Sequence, residues 1–166
     1  MISKRSLTIL IVAMLLVSLL STGTLFLATE EVPSLSETVT VSVDGKVEKT
    51  LTIDGLNIYP GEKRECIVFL KSDLTGAYNA TLNFEEKENK GLKDFIDVEV
   101  YLGDQLVYTG NLVELLSDHT VKFEVALDNE LANQLKIVYI MDVSVGDEAQ
   151  ETTVSFYVKL KIGNEF

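Results

Sequence analysis

The stretch Ala77–Glu85, which reads Ala-Tyr-Asn-Ala-Thr-Leu-Asn-Phe-Glu, decides the fold class of this chain. Apolar and polar residues alternate along it, so one face carries Tyr78, Ala80, Leu82 and Phe84, and the other carries Asn79, Thr81, Asn83 and Glu85. A period of two residues is that of a β-strand with one face against a core, whereas a helix repeats every ~3.6 residues. The stretch therefore predicts a strand in a half-buried sheet.

The same alternation recurs along most of the chain. It is found in the runs 39–43, 47–53, 96–102, 121–127, 135–143 and 154–162, and the run 63–70 is a further strand whose end is apolar on both faces. Turn residues separate these runs, and Asp44-Gly45 predicts a β-hairpin between the first two. We expect short helical connections at Asn111–Ser117 and Asp128–Gln134. Such a series predicts an all-β, jelly-roll-like β-sandwich of about eight to nine strands, with 63–70 in the interior of a sheet.

The N-terminus has the layout of an export signal. Lys4 and Arg5 precede the uncharged stretch Leu7–Leu27, and the first acidic residue is Glu30. A positive flank and an apolar segment predict a signal peptide or signal anchor over residues 1–28, with everything after it outside the cytoplasm. Leu7–Leu27 is also long enough for a single membrane-spanning helix, so cleavage and anchoring both remain open. Residues 29–37 would then form a linker and 38–166 the sandwich.

The charge of the chain excludes one class of partner. Acidic residues number 26 against 14 basic ones, the net charge is −12, and two of the basic residues lie in the predicted export signal. Nucleic-acid binding requires a basic face, so we expect no nucleic-acid partner. A single cysteine, Cys66, rules out an intrachain disulfide, and its apolar surroundings in the sequence predict a buried thiol.

No pattern in the sequence indicates catalysis, a metal or a cofactor. His119 is the one histidine, and neither a His-Glu-x-x-His pattern, a Gly-x-Ser-x-Gly elbow nor a phosphate-binding glycine loop is present. Asp128-Asn129-Glu130 and Gly146-Asp147-Glu148 do not match a calcium loop, so we interpret them as solvated acids. The triplet Asn79-Ala80-Thr81 is an N-glycosylation sequon. We therefore expect a protein that is not an enzyme and has no cofactor.

Two segments resemble the TasA/camelysin family of exported matrix-fibre and pilus-like subunits. Leu56-Asn57-Ile58-Tyr59-Pro60-Gly61-Glu62 is similar to that family's turn before its core strand. Tyr139–Lys161, with Gly146-Asp147-Glu148-Ala149-Gln150 in its loop, is similar to the closing pair of strands. Thr29–Glu37 differs from the family pattern. The resemblance implies a cell-surface or extracellular homopolymer in which an N-terminal segment completes the sheet of the next subunit.

Under that resemblance, the donor segment would be Thr29–Val43, with Val39, Val41 and Val43 filling the groove of a neighbour. Unpaired backbone groups at a sheet edge make strand addition physically reasonable. Two alternatives remain open: Val39–Val43 is the first strand of the chain's own sheet, or the protein is a membrane-tethered monomeric module that binds other cell-surface proteins. Camelysin relatives have been classed as metallopeptidases, but this sequence offers no set of metal ligands for that activity.

Overall fold

The computed structural model describes residues 35–41, 47–128, 130, 132–146, 149 and 152–163. The predicted signal or anchor over 1–28 lies outside these residues. In the described part of the chain, no helix is long and apolar enough to cross a membrane.

Nine strands and one short helix make up the described domain. The strands are Leu35–Val41 (β1), Val47–Leu56 (β2), Lys63–Ser72 (β3), Gly76–Asn89 (β4), Ile96–Leu102 (β5), Gln105–Asn111 (β6), Thr120–Leu127 (β7), Asn133–Met141 (β8) and Val154–Gly163 (β9). The α-helix α1 covers Leu112–Leu116, and a 3-10 turn covers Leu92–Phe95. The predicted helical connection at Asn111–Ser117 is confirmed. The one at Asp128–Gln134 is wrong where it overlaps β8, which begins at Asn133.

The strands form two sheets with jelly-roll topology, as predicted. One sheet has the order β1-β3-β8-β5-β6 and the other has the order β2-β9-β4-β7. From β2 to β9 the chain changes sheet at every connection except β5 to β6, which is an antiparallel hairpin. We call the first the five-stranded sheet and the second the four-stranded sheet. The period-two alternation explains why both sheets have one apolar face to bury.

The core lies between the two sheets. In β4 the side chains of Ala80, Leu82 and Phe84 are buried, as the alternation predicts. The ring of Tyr139, from the five-stranded sheet, meets the ring of Phe156, from the four-stranded sheet, edge to face at 5.5 Å between centroids. Aromatic pairs of this geometry hold facing sheets together beyond their buried area alone.

The strand β3 lies inside its sheet, between β1 and β8, as its two apolar faces predict. Cys66, Val68 and Leu70 point into the core and are at most 1% exposed, which confirms the buried thiol. On the outward face, Ile67 and Phe69 are half-buried. The turn at Tyr59–Glu62 that leads into β3 is closed by a hydrogen bond from the Glu62 amide to the Tyr59 carbonyl, at 2.9 Å.

The predicted β-hairpin at Asp44-Gly45 is wrong. The strands on either side of it belong to different sheets, because β1 pairs with β3 and β2 pairs with β9. A turn dipeptide indicates where the chain reverses, but the partner of each strand is set by which edge and which apolar face remain to be covered. Here β1 covers the edge of β3 and directs Val39 into the core, and β1 starts at Leu35, three residues before the predicted start of the sandwich.

Candidate functional site

The strand β1 is the one element that the jelly-roll connection of β2 to β9 does not include. It pairs with β3 alone, in parallel, with Leu35 opposite Cys66 and Val41 opposite Ser72. All the other strand pairings of the described residues are antiparallel. Because no described strand covers the second edge of β1, that edge presents unpaired backbone groups.

Val39 attaches β1 to the core. Its side chain is 5% exposed and its register partner is Leu70, which is fully buried, whereas Thr38 and Thr40 on the other face are exposed. Full burial of a valine stabilises a structure by about 1.5–3 kcal/mol. Of the three predicted donor residues, Val39 therefore lies in a groove between the sheets. Val41 ends β1 opposite Ser72, and Val43 lies outside the described residues.

His119 lies at a different place, in the connection from β6 to β7. Asn111 caps α1 by accepting a hydrogen bond from the Val113 amide at 2.8 Å, and α1 turns the chain across the end of the sandwich. Asp118, with φ of 73°, then reverses the backbone before β7. The result is an open depression of about 470 Å³ lined by Glu114, Ser117, Asp118 and His119.

This depression lacks the arrangement that acid–base or metal chemistry requires. The Ser117 hydroxyl donates to the Val113 carbonyl at 2.7 Å, which occupies it in a helix-end bond. The imidazole of His119 packs against the Tyr108 ring, with the centroids 5.5 Å apart. Across the residues that the structure describes, no three His, Cys, Asp or Glu side chains converge as metal ligands. We interpret His119 as a surface residue that packs on Tyr108.

Tyr108 is a feature that the sequence analysis missed. Its hydroxyl lies over Gly110, where an added Cβ would clash with the oxygen, and it is buried without a hydrogen-bond partner among the described residues. Burial, followed by the negative charge of Glu114, raises the pKa of this tyrosine. The signal in the sequence is an aromatic residue two positions before a glycine, because residues i and i+2 of a strand share a face.

Asp128, in the first acidic triplet, and Asp142, which precedes the second triplet, each accept a hydrogen bond within their own loop. The Asp128 carboxylate accepts a hydrogen bond from the Glu130 amide at 2.7 Å, and the Asp142 carboxylate accepts one from the Ser144 amide at 2.7 Å. Such contacts stabilise turns and need no bound cation. Asp147 and Glu148 lie outside the described residues.

The buried pair Cys66 and Tyr139 belongs to the core. The Tyr139 hydroxyl is fully buried, and no residue in the described part of the chain forms a hydrogen bond with it. Burial and, to a smaller extent, the neighbouring Cys66 raise the pKa of Tyr139 well above its ordinary value. A thiol that is 1% exposed is inaccessible to solvent, so Cys66 has a packing role.

The outward face of the four-stranded sheet is polar. Three of its lysines form ion pairs: Lys159 with Glu85 and Lys161 with Glu48, at 3.4 Å, join adjacent strands, and Lys87 on β4 reaches Asp54 on β2, at 2.7 Å, across β9. The Lys87 ammonium also lies 5.9 Å from the centroid of the Tyr157 ring. Ion pairs therefore connect β9 to both of its neighbours in this sheet, β4 and β2.

Comparison with known proteins does not assign the chain to a family. No protein-family model and no curated protein matches it. Among solved structures, the CUB1-EGF-CUB2 domains of rat MASP-1 are 13% identical over 75% of this chain and 42% of theirs, with a TM-score of 0.41. The chain thus spans less than half of that structure.

This chain covers nearly the whole length of two other solved structures. The pre-peptidase C-terminal domain of a collagenase from Bacillus anthracis is 8% identical over 77% of this chain and 96% of its own, with a TM-score of 0.43. PliG, a periplasmic lysozyme inhibitor from Aeromonas hydrophila, is 9% identical over 76% and 98%, with a TM-score of 0.36. Likeness at this level carries no argument about function.

Proposed function

We propose that this protein is an exported structural subunit that assembles by exchanging β1 between copies, as the resemblance to the TasA/camelysin family implies. One observation supports it: β1 is outside the jelly-roll connection, pairs with a single strand and inserts Val39 between the sheets. A copy that supplied β1 to the β3 edge of its neighbour would make the same contacts there. On this proposal the protein is not an enzyme and takes no cofactor, and its partner is itself.

Disulfide trapping between chains tests the exchange directly. Ser36 and Ile67 are register partners on the outward side of β1 and β3. Neighbouring strands lie about 5 Å apart, within the range that a disulfide spans. In a Cys66→Ala background, one chain carries Ser36→Cys, a second carries Ile67→Cys, and the two are mixed under assembly conditions and oxidised. Neither variant can form an internal disulfide.

Exchange predicts a covalent heterodimer on a non-reducing gel. The chain that carries both substitutions is the positive control for cysteine geometry. A mixture of Ser36→Cys with Thr81→Cys, which is on the outward face of the other sheet, is the negative control. If the double variant forms only an internal disulfide and the mixture gives no heterodimer, β1 stays in its own chain. Electron microscopy of a chain lacking residues 29–37 gives a second test, because unchanged fibres would contradict a role for this segment.

A second function, a membrane-tethered monomeric binding module, is favoured by a different observation. Tyr59 and Val143 are 57% and 78% exposed on adjacent loops, and Val143 packs 3.7 Å from where a Cβ on Gly61 would lie. Exposed aromatic and aliphatic side chains of this kind suit a small contact surface for a partner protein. N-terminal sequencing distinguishes the two functions, since an intact Leu7–Leu27 segment opposes release into a fibre.

A further inference from the structure

The strand β4 presents the sequon to solvent. Ala80 and Leu82 are fully buried, so the alternating residues Asn79, Thr81 and Asn83 lie on the outward face of the four-stranded sheet, where they are half-buried. Asn79 and Thr81 therefore have their side chains on the same side of one strand. Both groups of the sequon therefore lie on the outward face of the sheet, and because β4 is paired on both edges, a transferase would have to act on this segment before the sheet forms.

The register partners of Asn79 are a glycine and an exposed acid. On one side its register partner is Gly163 of β9, which has no side chain, and on the other it is Glu124 of β7, which is exposed. Thr81 lies between Lys161 and Lys122. A sugar attached at this position would extend over a hydrophilic surface of charged and hydroxyl groups and would cover little apolar area.

We propose that Asn79 carries an N-linked glycan that is added during export. The inference depends on one part of the proposed function, which is that the protein is exported. In the reaction, the side-chain Nδ2 of Asn79 attacks C1 of the reducing-end sugar of an oligosaccharide linked to a polyprenyl phosphate or diphosphate. The new N–C1 bond replaces the C1–O bond to phosphate, the lipid phosphate leaves, and the amide loses one proton to a base of the transferase.

The position of Asn79 is compatible with assembly through β1. In the four-stranded sheet β4 lies between β9 and β7, and β1 belongs to the other sheet. Asn79 itself faces outward from the four-stranded sheet, away from the five-stranded sheet that contains β1. A glycan there leaves the β1–β3 edge uncovered and makes the four-stranded sheet a solvent-facing surface of the subunit.

Intact mass of the protein exported by its native host provides the test. The wild-type mass is expected to exceed the sequence mass of the exported chain, counted from the N-terminus that sequencing finds, by the mass of one oligosaccharide. Asn79→Gln and Thr81→Ala are expected to lose the excess, and Thr81→Ser is expected to keep it because the hydroxyl remains. Asn83→Gln is the matched control: Asn83 is on the same face of the same strand but has no hydroxyl residue two positions later.

Three results would overturn the inference, and they separate it from the proposed function. An exported wild-type protein at its sequence mass shows that Asn79 is unmodified while export stands. An excess mass that persists in Asn79→Gln places the modification elsewhere. A wild-type protein retained in the cytoplasm contradicts both export and the glycan. Fractionation of the same culture, read with an antibody against the chain, identifies this third case.

Discussion

Truncation of Val39 to alanine measures how strongly β1 is attached. The valine is 5% exposed and packs opposite Leu70 in the core, so the substitution removes two buried methyl groups. Transfer of these groups to water costs about 1.5 kcal/mol, and the remaining cavity increases the loss to about 1.5–3 kcal/mol. Domains of this size are stable by about 5–15 kcal/mol, so the change is easily measured.

The matched control is Thr40→Ala, on the exposed face of the same strand. It should change stability by less than about 0.5 kcal/mol, because surface substitutions away from caps and networks have small effects. The assay is urea unfolding at several protein concentrations. A loss that is present in dilute monomer shows that β1 is seated in its own chain, and a loss confined to assembled material shows that it is seated in a neighbour. Equal shifts for Val39→Ala and Thr40→Ala would refute the burial argument.

Three further substitutions test other parts of the structure. Tyr139→Phe should raise the free energy of unfolding by about 1–3 kcal/mol in urea titrations, because the buried hydroxyl has no described partner. Its raised pKa means that the wild type loses stability as pH rises above about 10, where the tyrosine of the unfolded chain ionises, and the variant should lose less. Gly110→Ala should cost about 1–3 kcal/mol, because the new Cβ displaces the Tyr108 ring, and a double-mutant cycle with Tyr108→Ala should remove that cost. The hydrogen bonds from Ser144 lower the pKa of Asp142 below its ordinary value of 3.8, so the carboxylate contributes stability above that pH and loses it as pH falls through the lowered pKa. Acid unfolding of Asp142→Asn should accordingly show a weaker dependence on pH below about 4.

The strands and the fold class could be predicted because the alternation of side chains is a local property. The run Ala77–Glu85 predicted the buried face of β4, and the apolar ending of 63–70 predicted that β3 has a strand on each side. The pairing of β1 could not be predicted in this way. Asp44-Gly45 describes a reversal, but the choice between pairing with β2 and pairing with β3 depends on which apolar groove the rest of the chain has left open.

The same difference between local and non-local features applies to the candidate sites. Val39 was predicted to fill the groove of a neighbouring subunit, and the structure shows it buried between the sheets of its own chain, so its role as a donor residue stays a prediction. The contact of Tyr108 with His119 depends on α1 and on the left-handed backbone of Asp118, which bring the connection from β6 to β7 back against β6. No spacing rule relates such residues, since their distance is set by a connection whose path the alternation does not encode.

The edge of β3 bears on the proposed exchange of β1, because this edge needs a strand from some source. Without β1, this edge would be open beside Cys66, Val68 and Leu70, which face the core. An apolar open edge recruits any available strand. The strand of the same chain has the advantage, because a short connection holds it at an effective concentration of about millimolar. On the proposed function, exchange therefore depends on whether the connection between β1 and β2 is long enough for β1 to pair with β3 of its own chain.

The length of that connection should control assembly. Residues 42–46 join Val41 to Val47, and a connection of this length can span about 20 Å, twice the ~10 Å between packed sheets. Deletion of three of these residues leaves a reach of about 10 Å and no slack, which should favour exchanged oligomers. Insertion of five glycine or serine residues should favour the monomer. Light scattering after size-exclusion chromatography measures both, and a shortened chain that stays monomeric with unchanged stability would show that β1 does not leave its own sheet.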